Sequence, residues 1–224
     1  MTVLVVAAHP DDETLGAGGT AARFAAEGRE VAWLVLGEGV TSRGGDGPEV
    51  DASLRQLRAE CAAAAKVLGV AEVRHGGLPD NRFDGVELLE VVRMVEQVVE
   101  EVRPELVITH HPGDVNVDHR LTHDAVLAAT RPTAGHPVRT VMCFEVPSST
   151  EWAFGTRVPF VPDVFVDVSE WIEAKERALG EYASELRDFP HPRSIEQVRA
   201  LATHRGSTVG VAAAEAFQLV RTLR

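Results

Sequence analysis

The chain has 224 residues, of which 45% are hydrophobic and 25% are charged, and it carries a formal net charge of −12. This composition predicts one globular domain over residues 1–224, and the acidic balance argues against a nucleic-acid or anionic-membrane partner because either needs a basic face. The two cysteines, Cys61 and Cys143, fall in apolar patterns that favour buried thiols over a disulfide framework. We find no leader pattern and no apolar run of membrane-spanning length, so we expect a cytoplasmic protein.

The first segment is a run of small and β-branched residues that predicts a strand over residues 3–8, buried on both faces. The stretch AHPDDE follows directly at residues 8–13. His9 and Asp12 there are potential metal ligands, and Asp11 stands beside them with a carboxylate that could act on a metal-held water. Because catalytic groups collect at the carboxyl ends of strands in open α/β sheets, a metal site is expected here. The alternative, a helix N-terminus capped by Asp11 or Asp12, explains the carboxylates but not the histidine.

Apolar runs and amphipathic runs alternate through the rest of the chain. The pattern predicts further strands over residues 31–36, 70–74, 105–109, 139–144 and 164–168, and helices over 15–27, 51–68, 86–102, 119–130, 170–188 and from Ser194. This alternation predicts an α/β fold with a Rossmann-like, mostly parallel sheet and helices on both faces. Residues 211–220 fit a helix and a strand equally well. The glycines at 16–19 lack the dinucleotide-binding spacing, and the acidic stretch before them would repel a pyrophosphate.

Loops at the predicted strand ends carry further candidate residues. Ser42 and Arg43 lie in a glycine-rich loop that could form the rim of the site or be plain surface. Asp80 and Arg82 follow the third predicted strand and could line the cleft. For the third metal ligand, His119 opens a helix just past a strand end and is preferred over His123, which is four residues later on the same helical face.

Six stretches resemble the PIG-L/LmbE-like N-deacetylases, zinc enzymes that remove acetyl groups from amino sugars and related glycosides. These stretches are AHPDDE at 8–13, GGLPDNR at 76–82, HHPGD at 110–114, NVDHR at 116–120, FEVPSSTEW at 144–152, and RGS with AEAF between 205 and 217. The resemblance spans nearly the whole chain. It implies that His9, Asp12 and His119 bind the metal and that Asp11 is the general base.

A set of substrate contacts is predicted as well. Arg58 is similar to a family arginine near the sugar, although a solvated helix face explains it as well. Asp80, Arg82, Asn116 and Glu145 complete the predicted substrate-binding set.

The predicted function is a deacetylase of a small N-acetylated amino sugar or glycoside, with Zn²⁺ or another divalent transition metal as cofactor. Metal lowers the pKa of bound water to about 7, which makes hydroxide available near neutrality. An amidase of the same family acting on a larger acyl group or a thiol conjugate is the nearest alternative, and a sugar-binding protein without turnover is the second. Intact Asp11 counts against the second, and the lack of a G-x-S-x-G sequence counts against a serine hydrolase. A homo-oligomer is expected, without a residue pattern that defines its interface.

The sequence offers three candidates for the group that protonates the leaving amine. The family's usual pattern has a histidine three residues before the metal-binding one, where this chain has Asn116, which cannot deliver a proton. His111, at the carboxyl end of a predicted strand, is preferred as the catalytic acid, with His123 as its rival. The third possibility is that Asp11 returns the proton it takes from water.

Overall fold

The computed structural model describes residues 1–40 and 48–224, and its centre is one seven-stranded sheet. The strands are β1 (Thr2–Ala7), β2 (Glu30–Gly37), β3 (Glu72–Leu78), β4 (Leu106–His110), β5 (Thr140–Phe144), β6 (Val164–Asp167) and β7 (Ala214–Thr222). They lie in the order β3-β2-β1-β4-β5-β7-β6. The first five in that order are parallel, while β7 runs antiparallel to both β5 and β6. The predicted mostly parallel sheet is confirmed.

Helices cover both faces of this sheet, as predicted. They are α1 (Asp12–Ala26), α2 (Pro48–Leu68), α3 (Leu88–Val102), α4 (Val117–Ala129), α5 (Ile172–Glu181) and α6 (Ile195–Ser207). One hydrophobic core contains Val3 and Val5 with residues of α1, α2 and α5, and a second contains Leu4 and Val6 with residues of α3 and α4. Successive side chains of a strand point to opposite faces, so the unbroken apolar run of β1 supplies both cores. No described helix is long and apolar enough to cross a membrane.

Several predicted boundaries differ from the structure, and the strand predicted over residues 105–109 lies one residue later, at Leu106–His110. The strand predicted to end at residue 74 continues as β3 to Leu78. Within the added part, Gly76 lies so close to β2 that a Cβ would stand 2.7 Å from the Leu36 carbonyl oxygen, which favours glycine there. The helix predicted over 170–188 ends at Glu181. The undecided segment 211–220 contains most of β7. Cys61 and Cys143 are both buried and unpaired, as expected.

The topology places a crevice between β1 and β4. The chain passes from β1 outward through β2 to β3 and then returns to the other side of β1 for β4, so the strand order reverses at this pair. Ligands of doubly wound α/β proteins bind outside the carboxyl ends of the strands at such a point. The segments after β1 and β4, which carry the AHPDDE and NVDHR stretches, therefore meet at one edge of the sheet.

Candidate active site

Three of the predicted site residues converge at this edge. His9 follows β1, Asp12 begins α1, and His119 lies in the first turn of α4. The Asp12 Oδ2 atom is 3.3 Å from His9 Nδ1 and 3.3 Å from His119 Nε2. One nitrogen or oxygen atom from each of the three side chains lies within 4.8 Å of those of the other two, which is the arrangement expected of ligands around a single cation.

The donor set fits a divalent metal. Asp12 Oδ1 and His119 Nε2 are buried, and neither has a hydrogen-bond partner in the described residues. Burial disfavours charged imidazoles, yet hydrogen bonds to Asp118 and Asp12 outweigh it and raise the pKa of His9 to about 10. Burial would likewise raise the pKa of Asp12, but the neighbouring His119 and His9 hold it well below its usual range. The cluster thus favours positive charge among these side chains. Two imidazoles with a carboxylate are also a donor set that suits a transition metal such as zinc.

A further carboxylate contacts each histidine on the side away from Asp12. His9 Nε2 lies 2.9 Å from Asp118 Oδ2 and 3.2 Å from Asp80 Oδ1, so that His9, Asp80 and Asp118 form a second group with the geometry to hold a cation. His119 Nδ1 lies 3.2 Å from Asp114 Oδ2. Burial disfavours the charged form of Asp114, but hydrogen bonding and charge from His119 outweigh it and lower its pKa to about 2.

Asp11 lies beside the cluster and lines a cavity of about 110 Å³. Its side chain is buried, and its backbone φ of 100° is outside the helical region. Arg193 Nη1 donates a hydrogen bond of 2.9 Å to Asp11 Oδ2, and Arg193 Nε donates one of 2.8 Å to Ser148 Oγ. Burial raises the pKa of Asp11 well above its usual range, and the Arg193 charge opposes that rise. The cavity is lined by His9, Pro10, Asp11, Gly39, Asp80, Asn81, Asn116, Glu185 and Arg193.

Glu13 stabilises the positive-φ backbone conformation of Asp11 through a side-chain hydrogen bond. One oxygen of Glu13 accepts the Asp11 N–H at 3.2 Å, and the other accepts hydrogen bonds from the hydroxyls of Thr14 and Tyr182. Burial raises the pKa of Glu13 to about 7. From the sequence, Glu13 is predicted only as a residue of the first turn of α1. Its contact with Tyr182 could not be predicted, because Tyr182 lies far along the chain, just after the end of α5.

The histidine that adjoins the cluster is His110, not the predicted His111. The His110 ring stacks on that of His119 with centroids 4.0 Å apart, and its Nε2 accepts the Ala8 N–H at 2.8 Å. His111 Nε2 lies 2.9 Å from the Val158 carbonyl oxygen. The rival acid, His123, has its Nδ1 2.9 Å from the His110 carbonyl oxygen and lies against Cys143. Neither predicted acid is brought into the cluster, and the role assigned to His111 stays a prediction.

Comparisons with known proteins show which family this chain belongs to. Residues 4–130 match the family model PIG-L, described as GlcNAc-PI de-N-acetylase. The chain belongs to the PIG-L family. It is 31% identical to 1D-myo-inositol 2-acetamido-2-deoxy-alpha-D-glucopyranoside deacetylase of Rhodococcus erythropolis, over 84% of this chain and 82% of the relative. It is 30% identical to Probable N-acetyl-alpha-D-glucosaminyl L-malate deacetylase 2 of Bacillus anthracis, over 82% and 81% respectively.

A solved structure widens the chemistry found on this fold. GalB, the 4-carboxy-2-hydroxymuconate hydratase of Pseudomonas putida KT2440, superposes with a TM-score of 0.79 at 25% identity, over 100% of this chain and 97% of that protein. The family match confirms the resemblance that the motifs predict. Because GalB is named a hydratase, the fold by itself does not distinguish amide hydrolysis from other reactions, and the residues of the site must decide between them.

The predicted substrate contacts of this PIG-L member do not all meet at the cavity. Asp80 and Asn116 line it, and Arg82 is exposed beside them. Asn116 caps α4: its Oδ1 accepts the Asp118 N–H at 2.8 Å, and its Nδ2 donates to Asn81 Oδ1 at 3.0 Å. The position where the family has a histidine therefore orients the helix that carries His119.

The other predicted contacts lie elsewhere. Glu145 forms a two-point ion pair with Arg205, at 2.7 and 2.8 Å, and lines a separate cavity of about 240 Å³. Arg58 is exposed on α2. Burial of His75 lowers the pKa of that imidazole, and the positive charge of Arg58 lowers it further. Ser42 and Arg43 lie outside the described residues.

Proposed function

We propose that this chain, as one domain, is a metal-dependent hydrolase that removes the acetyl group from an N-acetylated amino sugar or glycoside. The observation that carries the proposal is the buried Asp11 carboxylate, which lines a polar cavity next to the His9, Asp12 and His119 donor set. The named activities of the Rhodococcus and Bacillus relatives support this substrate class. Zinc is the proposed cation, and another divalent transition metal is the alternative.

His9, Asp12 and His119 would hold that cation. When bound, such a cation lowers the pKa of water to about 7 and polarises a carbonyl oxygen. The polar lining of the cavity, which includes Asp80 and Asn116, suits the hydroxyl groups of a sugar. Because the cavity has carboxylates from several segments, it also suits the cationic amine that deacetylation produces.

Asp11 has the central role in the proton transfers. It accepts a proton from the attacking water as the water oxygen bonds to the acetamide carbon. When the carbon–nitrogen bond breaks, the nitrogen must receive a proton, and Asp11 is the group in the cavity that has one to return. The carbonyl then re-forms to give acetic acid and the amine, and the hydroxyl proton of the acid passes to the amine, so that the products near neutral pH are acetate and the ammonium form of the amine. Arg193 keeps the Asp11 carboxylate oriented toward this exchange. His111 and His123 are engaged by backbone carbonyl oxygens away from the cluster, which favours Asp11 as the single proton carrier.

A mass-spectrometric screen of N-acetylated sugars and glycosides tests the proposal. The metal-loaded protein should release acetate and leave the free amine from at least one of them, and a chelator should abolish this turnover until zinc is added back. N-acyl analogues and thiol conjugates in the same screen test the amidase alternative. Binding of the sugars without product would favour the non-catalytic alternative, and full activity in a protein shown by elemental analysis to be metal-free would contradict the metal assignment.

A further inference from the structure

The two imidazoles of the candidate metal site each lie between Asp12 and another carboxylate. His9 reaches from Asp12 to Asp118, and His119 reaches from Asp12 to Asp114. We propose that Asp118 and Asp114 are positioning residues that make His9 bind the cation through Nδ1 and His119 through Nε2. This inference rests on the ligand set of the proposed function and adds the nitrogen used by each ring and the residues that select it.

His9 is oriented by contacts at both ring nitrogens. Its Nε2 lies 2.9 Å from Asp118 Oδ2, while its Nδ1 lies 3.3 Å from Asp12 Oδ2. A carboxylate accepts and does not donate, and Nε2 faces two of them, Asp118 Oδ2 and, at 3.2 Å, Asp80 Oδ1. The shorter contact with Asp118 and the second acceptor favour the proton of a neutral His9 on Nε2. The lone pair is then on Nδ1, which faces Asp12.

His119 has the opposite orientation. Its Nδ1 lies 3.2 Å from Asp114 Oδ2, and its Nε2, which faces Asp12, has no hydrogen-bond partner in the described part of the chain. Asp114 is fully buried and accepts hydrogen bonds from the Asn116 N–H, the Ser149 hydroxyl and the Thr150 hydroxyl. These donors hold the carboxylate in place, so Asp114 is a rigid acceptor for the Nδ1 proton.

The same contacts decide between the two groups that could hold a cation. A cation among His9, Asp80 and Asp118 would need the Nε2 lone pair of His9. However, Asp118 Oδ1 accepts the Phe83 N–H at 3.0 Å, and Oδ2 already faces Nε2. Asp12 Oδ1 and His119 Nε2, two of the buried atoms that lack a hydrogen-bond partner in the described residues, belong to the first group, and no atom of Asp80 or Asp118 is among these buried atoms. A cation would therefore be held on the Nδ1 side of His9, with Asp118 bonded to the opposite ring nitrogen.

Support of this kind has a measurable effect on metal binding. A hydrogen bond from the far nitrogen fixes the tautomer and ring orientation of a histidine ligand, and its loss costs about 10- to 100-fold in metal affinity. Asparagine is a sharp substitution at both positions because it keeps one carboxylate-like oxygen. The donors at Asp118 lie at different oxygens, Phe83 N–H at Oδ1 and His9 Nε2–H at Oδ2, so an asparagine places an NH2 group against one of them. At Asp114 the donors are likewise divided between the two oxygens, and one oxygen loses its role as acceptor.

The first experiment needs no substitution. The protein is labelled with ¹⁵N-histidine and loaded with ¹¹³Cd²⁺, and scalar couplings between metal and nitrogen are recorded. We expect coupling to Nδ1 of His9 and to Nε2 of His119. Coupling to Nε2 of His9 would overturn the inference while leaving a metal site in place. Coupling to neither ring would contradict the ligand set of the proposed function, and the inference with it.

The second experiment measures zinc affinity by competition with a chelator, independently of deacetylation. Asp118→Asn and Asp114→Asn should each bind zinc about 10- to 100-fold more weakly than the parent. Asp124→Asn, an exposed change on the same helix, is the matched control and should bind zinc as the parent does. Thermal unfolding of the metal-free proteins separates a folding defect from a metal effect. Parent-like zinc affinity in both test variants would overturn the positioning roles, even if the enzyme deacetylates its substrate.

Discussion

Arg193 Nη1 lies 2.9 Å from Asp11 Oδ2, although 182 residues separate the two along the chain. The second contact of Arg193, from Nε to Ser148 Oγ, fixes the plane of the guanidinium. Lysine can supply the charge but not this two-direction geometry. The pair therefore joins the proposed general base to the segment between α5 and α6.

We expect Arg193→Lys and Arg193→Ala to lower kcat by about 10- to 100-fold, because a misplaced catalytic group costs that much without any loss of chemistry. Metal content should stay at the level of the parent, since Arg193 contacts no metal ligand in the described residues. Arg199→Ala removes an exposed arginine of α6 and is the control. A parent-like kcat in Arg193→Ala would show that Asp11 needs no such partner.

Substitutions at the two neighbouring aspartates should separate chemistry from metal binding. Asp11→Asn removes the base and should lower the rate by at least about 10²-fold while zinc remains bound. Asp12→Ala should lose the metal, because its carboxylate lies 3.3 Å from a nitrogen of each histidine. Steady-state kinetics with elemental analysis of both variants tests this. If Asp11→Asn were as active as the parent, the general-base role would have to be given up.

Much of the site was predictable because its parts lie near strand ends. The AHPDDE stretch follows an apolar run, and NVDHR follows the next strand to join β1, so the convergence of His9, Asp12 and His119 follows from the topology of a parallel sheet. Arg193 was not predictable in this way. It lies in an irregular segment, and no periodicity relates such a segment to Asp11.

The sequence pattern places His110 and His111 together at a strand end and does not show which of the two rings adjoins the cluster. Alternation along β4 places Leu106 and Ile108 in the core that contains α1, and Val107 in the other. His110 shares the parity of Ile108, and it points toward the start of α1, where Asp12 lies. The predicted end of the strand at residue 109 hid this parity, because both histidines then belonged to a loop. One residue of strand length decided which ring adjoins the cluster.

A stability prediction concerns the buried pair Lys175 and Glu215. α1 is interrupted at Ala17, and Lys175 Nζ donates to the Leu15 carbonyl oxygen at 2.7 Å and to Glu215 Oε1 at 2.6 Å. Glu215 in turn accepts hydrogen bonds from the N–H groups of Gly19 and Thr20, which lie two and three residues after Ala17. The pair thus replaces hydrogen bonds that the interrupted helix lacks.

Lys175→Met should lower the free energy of unfolding by about 3–5 kcal/mol, because it leaves the Glu215 charge buried without its cation. Lys66→Met, at an exposed position of α2, is the control and should change it by less than about 0.5 kcal/mol. Urea unfolding of the metal-free proteins measures both. Equal stability of the two variants would show that Gly19 and Thr20 N–H groups alone satisfy Glu215.

The two cysteines should be unreactive in the native protein. Burial raises the pKa of Cys143 to about 12 and raises that of Cys61 well above its usual range, so almost no thiolate is present at pH 8. An excess of a thiol-specific disulfide reagent should therefore release no fast product at that pH, and two equivalents after unfolding in guanidinium. Rapid reaction of either thiol in the native state would contradict its burial.

The last prediction decides which group protonates the leaving amine. With Asp11 as the single proton carrier, His111→Ala and His123→Ala should both keep the alkaline limb of the pH–rate profile. His111 contacts the Val158 carbonyl oxygen and the Phe160 ring, so its removal should lower the free energy of unfolding and leave the shape of the pH–rate profile unchanged. The kcat of each variant is measured across the pH range with metal content held at the parent's level. Loss of the limb in His111→Ala would restore the acid role that the sequence predicted, and loss in His123→Ala would give that role to the histidine of α4. Retention in both, together with the inactivity of Asp11→Asn, would leave Asp11 carrying the proton in both directions.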